Sequence, residues 1–185
     1  MKLKRRTNID FSNHELLITK NELIKIHHLK QPNTMVDSIK FINTERILAV
    51  TGDYGNWIFC REFNPSHDGY VSDYYWLEKL KISSSQEGTK FSGDKTKAEI
   101  NDLIDKRVDD TWCPEHRDDA ISYYKSLLDY VSCGEHEYLE YAYNNYPDFM
   151  DYECVPIVNE IKYWLKAVFD GFEEICKRLK NEKPI

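Results

Sequence analysis

Two Cys-x-x-His pairs have the spacing closest to a known chemistry: Cys113-Pro114-Glu115-His116 and Cys133-Gly134-Glu135-His136. On paper they make a Cys2His2 zinc set. Between them, however, a helix opens at Cys113-Pro114-Glu115 and carries an unbroken apolar stripe at Ala120, Ile121, Tyr124, Leu127, Leu128 and Val131. At 1.5 Å per residue it separates the pairs by roughly 25 Å. Four ligands then cannot converge at the ~2.0–2.3 Å that zinc requires. Each pair reads instead as a helix start, and no metal or cofactor is expected.

Three other places set an imidazole beside carboxylates: His67-Asp68, His116 with Asp118 and Asp119, and Glu135-His136-Glu137. Such pairs can move protons. None is accompanied by a Gly-x-Ser-x-Gly elbow, a His-Glu-x-x-His helix or an Asp-rich calcium loop. Polar residues on solvated helix faces account for them, so no catalytic residue is assigned. A small metal-dependent hydrolase or nuclease built on His116 or His67 stands as the alternative.

Thr51-Gly52-Asp53-Tyr54-Gly55 could be a loop for a phosphate or a metal. Phosphate loops of the Walker and dinucleotide types open a helix. Here Asn56-Trp57-Ile58-Phe59-Cys60 follows and alternates like a strand. Asp53 and Tyr54 suit a type I turn, and Gly55 suits the left-handed residue that closes a bulged hairpin. The stretch is read as a turn between two strands.

The elements that must position these residues follow from periodicity. Thr19-Lys20-Asn21-Glu22 fits a capping box and predicts a short helix through Leu23, Ile26 and His27, stopped at Gln31-Pro32-Asn33. Met35–Ile42, Arg46–Thr51 and Asn56–Phe63 read as a three-stranded meander. In the third strand Trp57, Phe59, Arg61 and Phe63 share one face. From residue 72 the period becomes helical. Helices are expected over Ser72–Ile82 (Tyr74, Leu77 and Leu80 inward), Asp94–Val108 (Ile100, Leu103, Ile104 and Val108 inward) and Gly134–Asn145 (Leu139, Ala142, Tyr143 and Tyr146 inward). The clearest helix spans residues 158–180, with Ile161, Trp164, Leu165, Val168, Phe169, Phe172, Ile175, Cys176 and Leu179 in its stripe. Gly171 falls on that face at a cost of about 1 kcal/mol against alanine, which close approach to another element would explain.

The fold class is therefore α+β, with a small antiparallel β-meander (residues 35–63) packed against a C-terminal set of helices. One domain is expected over residues 1–185. It comprises a basic N-terminal segment with a short helix (1–34), the meander and a helical part (72–182). Hydrophobic residues make up 41% of the chain, enough to build a core. No apolar run reaches the roughly 18 residues of a membrane span, and no secretory signal follows the basic start, so the cytosol is expected. Cys60, Cys113, Cys133, Cys154 and Cys176 are odd in number and widely spaced, consistent with reduced thiols.

Charge is distributed unevenly. Residues 1–40 carry eight Lys/Arg and four Asp/Glu, a net of +4, and residues 41–185 carry 17 and 28, a net of −11. Within the latter, residues 109–160 hold thirteen acids against Arg117 and Lys125, together with eight of the thirteen tyrosines. The candidate partner-binding residues are Asp109, Asp110, Glu115, Asp118, Asp119, Tyr123, Tyr130, Glu135, Glu137, Tyr138, Glu140 and Tyr141. Such a surface repels nucleic acid and attracts basic partners. Tyrosine supplies apolar area and a hydroxyl at low entropic cost. An ordinary solvated acidic face would have the same composition. Direct contact with nucleic acid is expected only through Lys2, Lys4, Arg5 and Arg6.

The segment Val50-Thr51-Gly52-Asp53-Tyr54-Gly55-Asn56-Trp57-Ile58-Phe59-Cys60-Arg61-Glu62-Phe63 resembles one found in a family of uncharacterised phage and prophage proteins. Tyr75–Leu80 and Tyr163–Asp170 are similar to segments of the same proteins. The motifs carry no known activity, so no site residue is transferred. The resemblance implies a setting in the bacterial host, where small phage proteins act by binding a host protein. Anti-CRISPR inhibitors are one such class. The expected partner is then a basic nucleic-acid-binding host protein such as a CRISPR effector, blocked in guide-RNA or target binding. A phage accessory or assembly protein is the further alternative.

Overall fold

The computed structural model describes residues 6–34, 36–68, 71–83, 88–109, 116–145, 147 and 155–181, the side chains of 107–109 excepted. It is α+β: a six-stranded antiparallel sheet in the order β1-β2-β3-β4-β5-β6, a two-stranded sheet and five α-helices among the described residues.

Residues 15–30 form an antiparallel hairpin where the capping box predicts a helix. β1 (Glu15–Lys20) and β2 (Lys25–Lys30) pair with Thr19 opposite Ile26. Asn21 decides the outcome. Its side-chain oxygen accepts from the N–H groups of Leu23 (2.9 Å) and Ile24 (2.7 Å), and its own N–H donates to the Ile24 carbonyl (3.0 Å). That turn folds the chain back before a first helical turn can close. The flanking β-branched Ile18, Thr19, Ile24 and Ile26 favour strands.

β3 (Ile39–Asn43), β4 (Leu48–Gly52) and β5 (Trp57–Phe59) make a meander as expected, but β3 begins only at Ile39, with Met35 outside the described residues, and β5 ends at Phe59 rather than Phe63; Trp57, Phe59 and Phe63 are buried. The Thr51–Gly55 stretch is a turn between β4 and β5, as its residue types suggest. Asp53 accepts from the Ser38 N–H (2.8 Å) and donates its own N–H to the Ser38 carbonyl (2.9 Å), fixing the start of β3. Gly52 has φ 139°, and a Cβ there would stand 2.1 Å from the Ser38 oxygen, so only glycine fits.

The expected helix over Ser72–Ile82 is divided. α1 covers Asp73–Lys79, and the chain continues as β6 (Leu80–Ser83) on the edge of the sheet beside β5. Ladder bonds to β5 outweigh three further helical residues. The inward side chain is Trp76 (2% exposed) rather than Tyr74 (78%).

The last helix, α5 (Tyr163–Asn181), starts later than its stripe suggests because β8 (Asn159–Ile161) precedes it. It is buried from Leu165 to Cys176 on most sides, though Trp164 stays half-exposed. Gly171 meets the sheet at Phe41: a Cβ would lie 2.9 Å from the ring tip. Asp170, also buried, accepts from the N–H groups of Arg6 (3.0 Å) and Thr7 (2.9 Å) and the Thr7 hydroxyl (2.6 Å).

Between β6 and α5 lie β7 (Thr89–Phe91), α2 (Gly93–Asp109), α3 (Arg117–Val131) and α4 (Glu135–Asn144). β7 pairs with β8. The chain thus divides into two compact units, residues 1–88 with 161–185 and residues 89–160, where one domain is expected from length alone. The physical reason is that each unit has its own apolar cluster. The first is built around Phe41, Phe59, Trp76 and Phe172, and the second around Ile100, Tyr124, Leu127 and Tyr138.

Gly171→Ala is expected to lower stability by about 1–3 kcal/mol despite the better helix propensity of alanine, because Phe41 is fully buried and cannot swing away. Thermal unfolding measures this, and Phe41→Leu in the same background should recover part of the loss. A second prediction concerns His27, which is fully buried against Phe63 with no hydrogen-bond partner for either ring nitrogen among the described residues. Burial, with Lys25 nearby, lowers its pKa to about 4 from an ordinary 6.5. The unfolded chain therefore takes up this proton first. The neutral imidazole's stability is fully present above about pH 6.5 and is lost as pH falls towards 4, by ~3 kcal/mol in all. Urea unfolding at pH 7.5 and pH 5 should show a smaller loss in His27→Leu than in the wild type.

Candidate binding surface

The acidic stretch falls in the second unit. Residues 89–160 carry 7 Lys/Arg and 17 Asp/Glu, a net of −10, so the remainder carries 18 and 15, a net of +3. Charge follows the division of the fold.

α3 buries Ala120, Tyr123, Tyr124, Leu127 and Val131, and α4 buries Tyr138 and Ala142. These stripes turn the acids outward. Asp118 and Asp119 occupy the first turn of α3, and Glu135 and Glu137 that of α4, where negative charge meets the positive end of the helix dipole. The structure does not gather all the candidates into one patch. The two acidic turns stand apart by the length of α3, about 20 Å at 1.5 Å per residue. At the α3–α4 junction the residues do converge. Tyr130 and Tyr141 stack with ring centroids 3.7 Å apart and planes 11° from parallel. Glu137 lies one helical turn before Tyr141 on the same side of α4, and Glu140 is its neighbour.

Tyr123 and Tyr138 are corrected from surface to core. They are 6% and 0% exposed, and their hydroxyls donate to the carbonyls of Ala142 (2.8 Å) and Pro156 (2.6 Å). Burial raises the Tyr138 pKa above its ordinary value. A phenol inside needs such a partner, and a nearby carbonyl supplies it. Tyr143, expected inward, is instead half-exposed. Asp110 and Glu115, and the side chain of Asp109, lie outside the described residues.

Asp68 and Arg6, among the remaining candidates, are occupied structurally. Asp68 is buried and accepts from the Asn64 N–H (2.5 Å) and the Arg61 guanidinium, while His67 is exposed beside it. Arg6 is held by Asp73 (2.6 Å) and Glu173 (2.6 Å); burial opposes its charge, but these carboxylates raise its pKa above the ordinary value. It is not available to a phosphate, in contrast to the sequence expectation. Lys2, Lys4 and Arg5 lie outside the described residues. His116 and His136 stand at opposite ends of the continuous α3, and Cys113 is outside the described residues. Among the described residues no three His, Cys, Asp or Glu side chains cluster as a metal requires.

A cleft of about 400 Å3 opens at the start of α2. Lys90 there pairs with Glu160 (3.1 Å) and Lys97 donates to the Ser132 hydroxyl (2.6 Å), so its cations are already engaged. Among the described residues no helix is long and apolar enough to cross a membrane. Compared with known proteins, the chain matches no family model, no curated sequence and no solved structure.

Proposed function

We propose that the protein is a non-enzymatic inhibitory binding protein of phage or prophage origin. It blocks a basic, nucleic-acid-handling host defence protein in the manner of an anti-CRISPR inhibitor, by interfering with guide-RNA or target binding. The observation that carries this reading is the −10 charge of residues 89–160, exposed in part beside the Tyr130–Tyr141 stack. Glu137 and Glu140 offer carboxylates at helical spacing, and the paired rings offer a flat apolar platform on which an arginine can stack. A groove built for phosphates presents the matching cations. The sequence resemblance to phage and prophage proteins supports the setting.

Capture from host lysate, followed by titration of the captured protein against salt, tests the reading. Affinity is expected to fall steeply with ionic strength. Reversing Glu137 and Glu140 to lysine should weaken it at least ~10-fold, and adding the same change at Asp118 and Asp119 should weaken it further. All four are exposed, so stability should move by no more than about 0.5 kcal/mol per site. An affinity indifferent to all four changes would remove this surface from consideration.

A further inference from the structure

A cleft of about 280 Å3 opens at the end of the six-stranded sheet, between the β1–β2 turn, the β3–β4 turn and the segment that follows β5. It lies wholly within the first compact unit. On one side of it the ladder sets Lys20 directly opposite Lys25, on the face that also carries the buried His27. Like charges directly opposite one another weaken a strand pair. Among the described residues neither lysine has a carboxylate within ion-pairing distance. Nothing within the fold therefore accounts for their juxtaposition.

The far side of the cleft is acidic. Glu45 comes from the β3–β4 turn and Glu62 from the segment after β5, and among the described residues neither has a cation within ion-pairing distance. Glu22, at the tip of the β1–β2 turn, is the single lining acid on the lysine side and leaves that side positive. The two signs are thus separated across one cavity. Its walls are fixed in advance. The Asn21 side chain holds the first turn through the Leu23 and Ile24 N–H groups (2.9 and 2.7 Å), and the Thr44 N–H donates to the Ile47 carbonyl (2.9 Å) in the second. The buried Asn43 side chain donates to the Phe63 carbonyl (2.8 Å) and accepts from its N–H (2.7 Å). Phe63 and Pro65, both buried, add apolar lining. Preformed walls, an apolar lining and a few convergent charges are the general form of a small-molecule site.

We propose that this cleft binds a zwitterion of dipeptide size, its carboxylate taken by Lys20 and Lys25 and its ammonium by Glu45 and Glu62. At a strand spacing of ~4.8 Å, the middle of the β1–β2 pair stands about 10 Å from the middle of the β3–β4 pair. Lysine and glutamate side chains reach inward from either side. The remaining gap suits termini separated by two residues at about 3.5 Å each, whereas the two charges of a single amino acid share one α-carbon. The volume, at the small end for ligand pockets, also suits two residues. An inorganic anion would satisfy the lysines and leave both glutamates facing it, so charge complementarity favours a molecule of both signs.

Titration of the full chain with alanyl-leucine, followed by backbone amide shifts, tests this. Saturable shifts are expected at Lys20–Lys25, Asn43–Glu45 and Glu62–Asn64, with a Kd between about 10 μM and 1 mM. N-acetyl-alanyl-leucine and alanyl-leucine amide each lack one charge and should bind at least ~10-fold more weakly. Glu62→Gln should weaken alanyl-leucine and leave the acetylated form unchanged. Lys25→Glu should abolish binding while the thermal midpoint holds or rises, because an opposite-charge pair replaces a like-charge one. No saturable shift by about 10 mM overturns the proposal. So does an acetylated peptide that binds as tightly as the free one, which would make the cleft an anion site only, and so does a Lys25→Glu chain that binds as the wild type does.

Discussion

The contact between Phe41 and Gly171 sets how near α5 comes to the sheet. With no Cβ at residue 171, the Phe41 ring tip occupies the space that a methyl group would need. At that separation Phe172 reaches Phe41, Phe63 and Trp76 at centroid distances of 5.0, 4.7 and 4.7 Å, and one aromatic cluster joins β3, the chain after β5, α1 and α5. The same helix then meets the N-terminal segment at two levels. Asp170 receives Arg6 and Thr7, and about two turns later in sequence order Arg178 donates to the carbonyls of Phe11 and His14, each at 2.6 Å. Each contact satisfies polar groups that would otherwise be stranded at the edge of an apolar core. A glycine in mid-helix costs propensity, and the cost is offset by packing on all these sides.

How much of this the sequence discloses depends on the range of the interaction that decides each element. Trp57-Ile58-Phe59 and the stripe of α5 announce themselves because burial alternates at a fixed period over many residues, and Gly171 within that stripe is a direct sign of close approach. At Asn21 two local programmes compete within four residues. Thr19 and Glu22 can cap a helix, while the Asn21 side chain can close a turn, and the long-range ladder to β3 settles the matter. Leu80 and Ile82 continue the helical stripe of α1 yet pair with Phe59 and Ile58, which again only the tertiary neighbour specifies. The candidate surface was legible in its charge and less so in its aromatics. A tyrosine in an acidic helix looks the same whether its hydroxyl meets water or a carbonyl, so Tyr123 and Tyr138 could not be told from Tyr130 and Tyr141.

The division of the chain gives the charge pattern a physical sense. Residues 89–160 enter and leave through the paired strands β7 and β8, so the segment folds about its own core and is connected at adjacent points. Its helices tolerate the acids because the earliest ones sit in first turns, where the helix dipole favours them. Excess negative charge still opposes compaction. Tyr123 and Tyr138 counter this by tying α3 to α4 and α4 to the strand-side loop through buried hydrogen bonds.

The carboxylates fall into two populations with different physics. Asp53, Asp68 and Asp170 are each bound to backbone N–H groups and hold the chain in place. Such acids lose their use as free acid–base groups, since displacing their partners would strand buried donors. Asp118, Asp119, Glu135, Glu137 and Glu140 face solvent, where their field extends about one Debye length, ~8–10 Å at ordinary salt. Under the proposed function their effect on a partner would be one of attraction and orientation, with specificity coming from shorter-range contacts such as the Tyr130–Tyr141 platform.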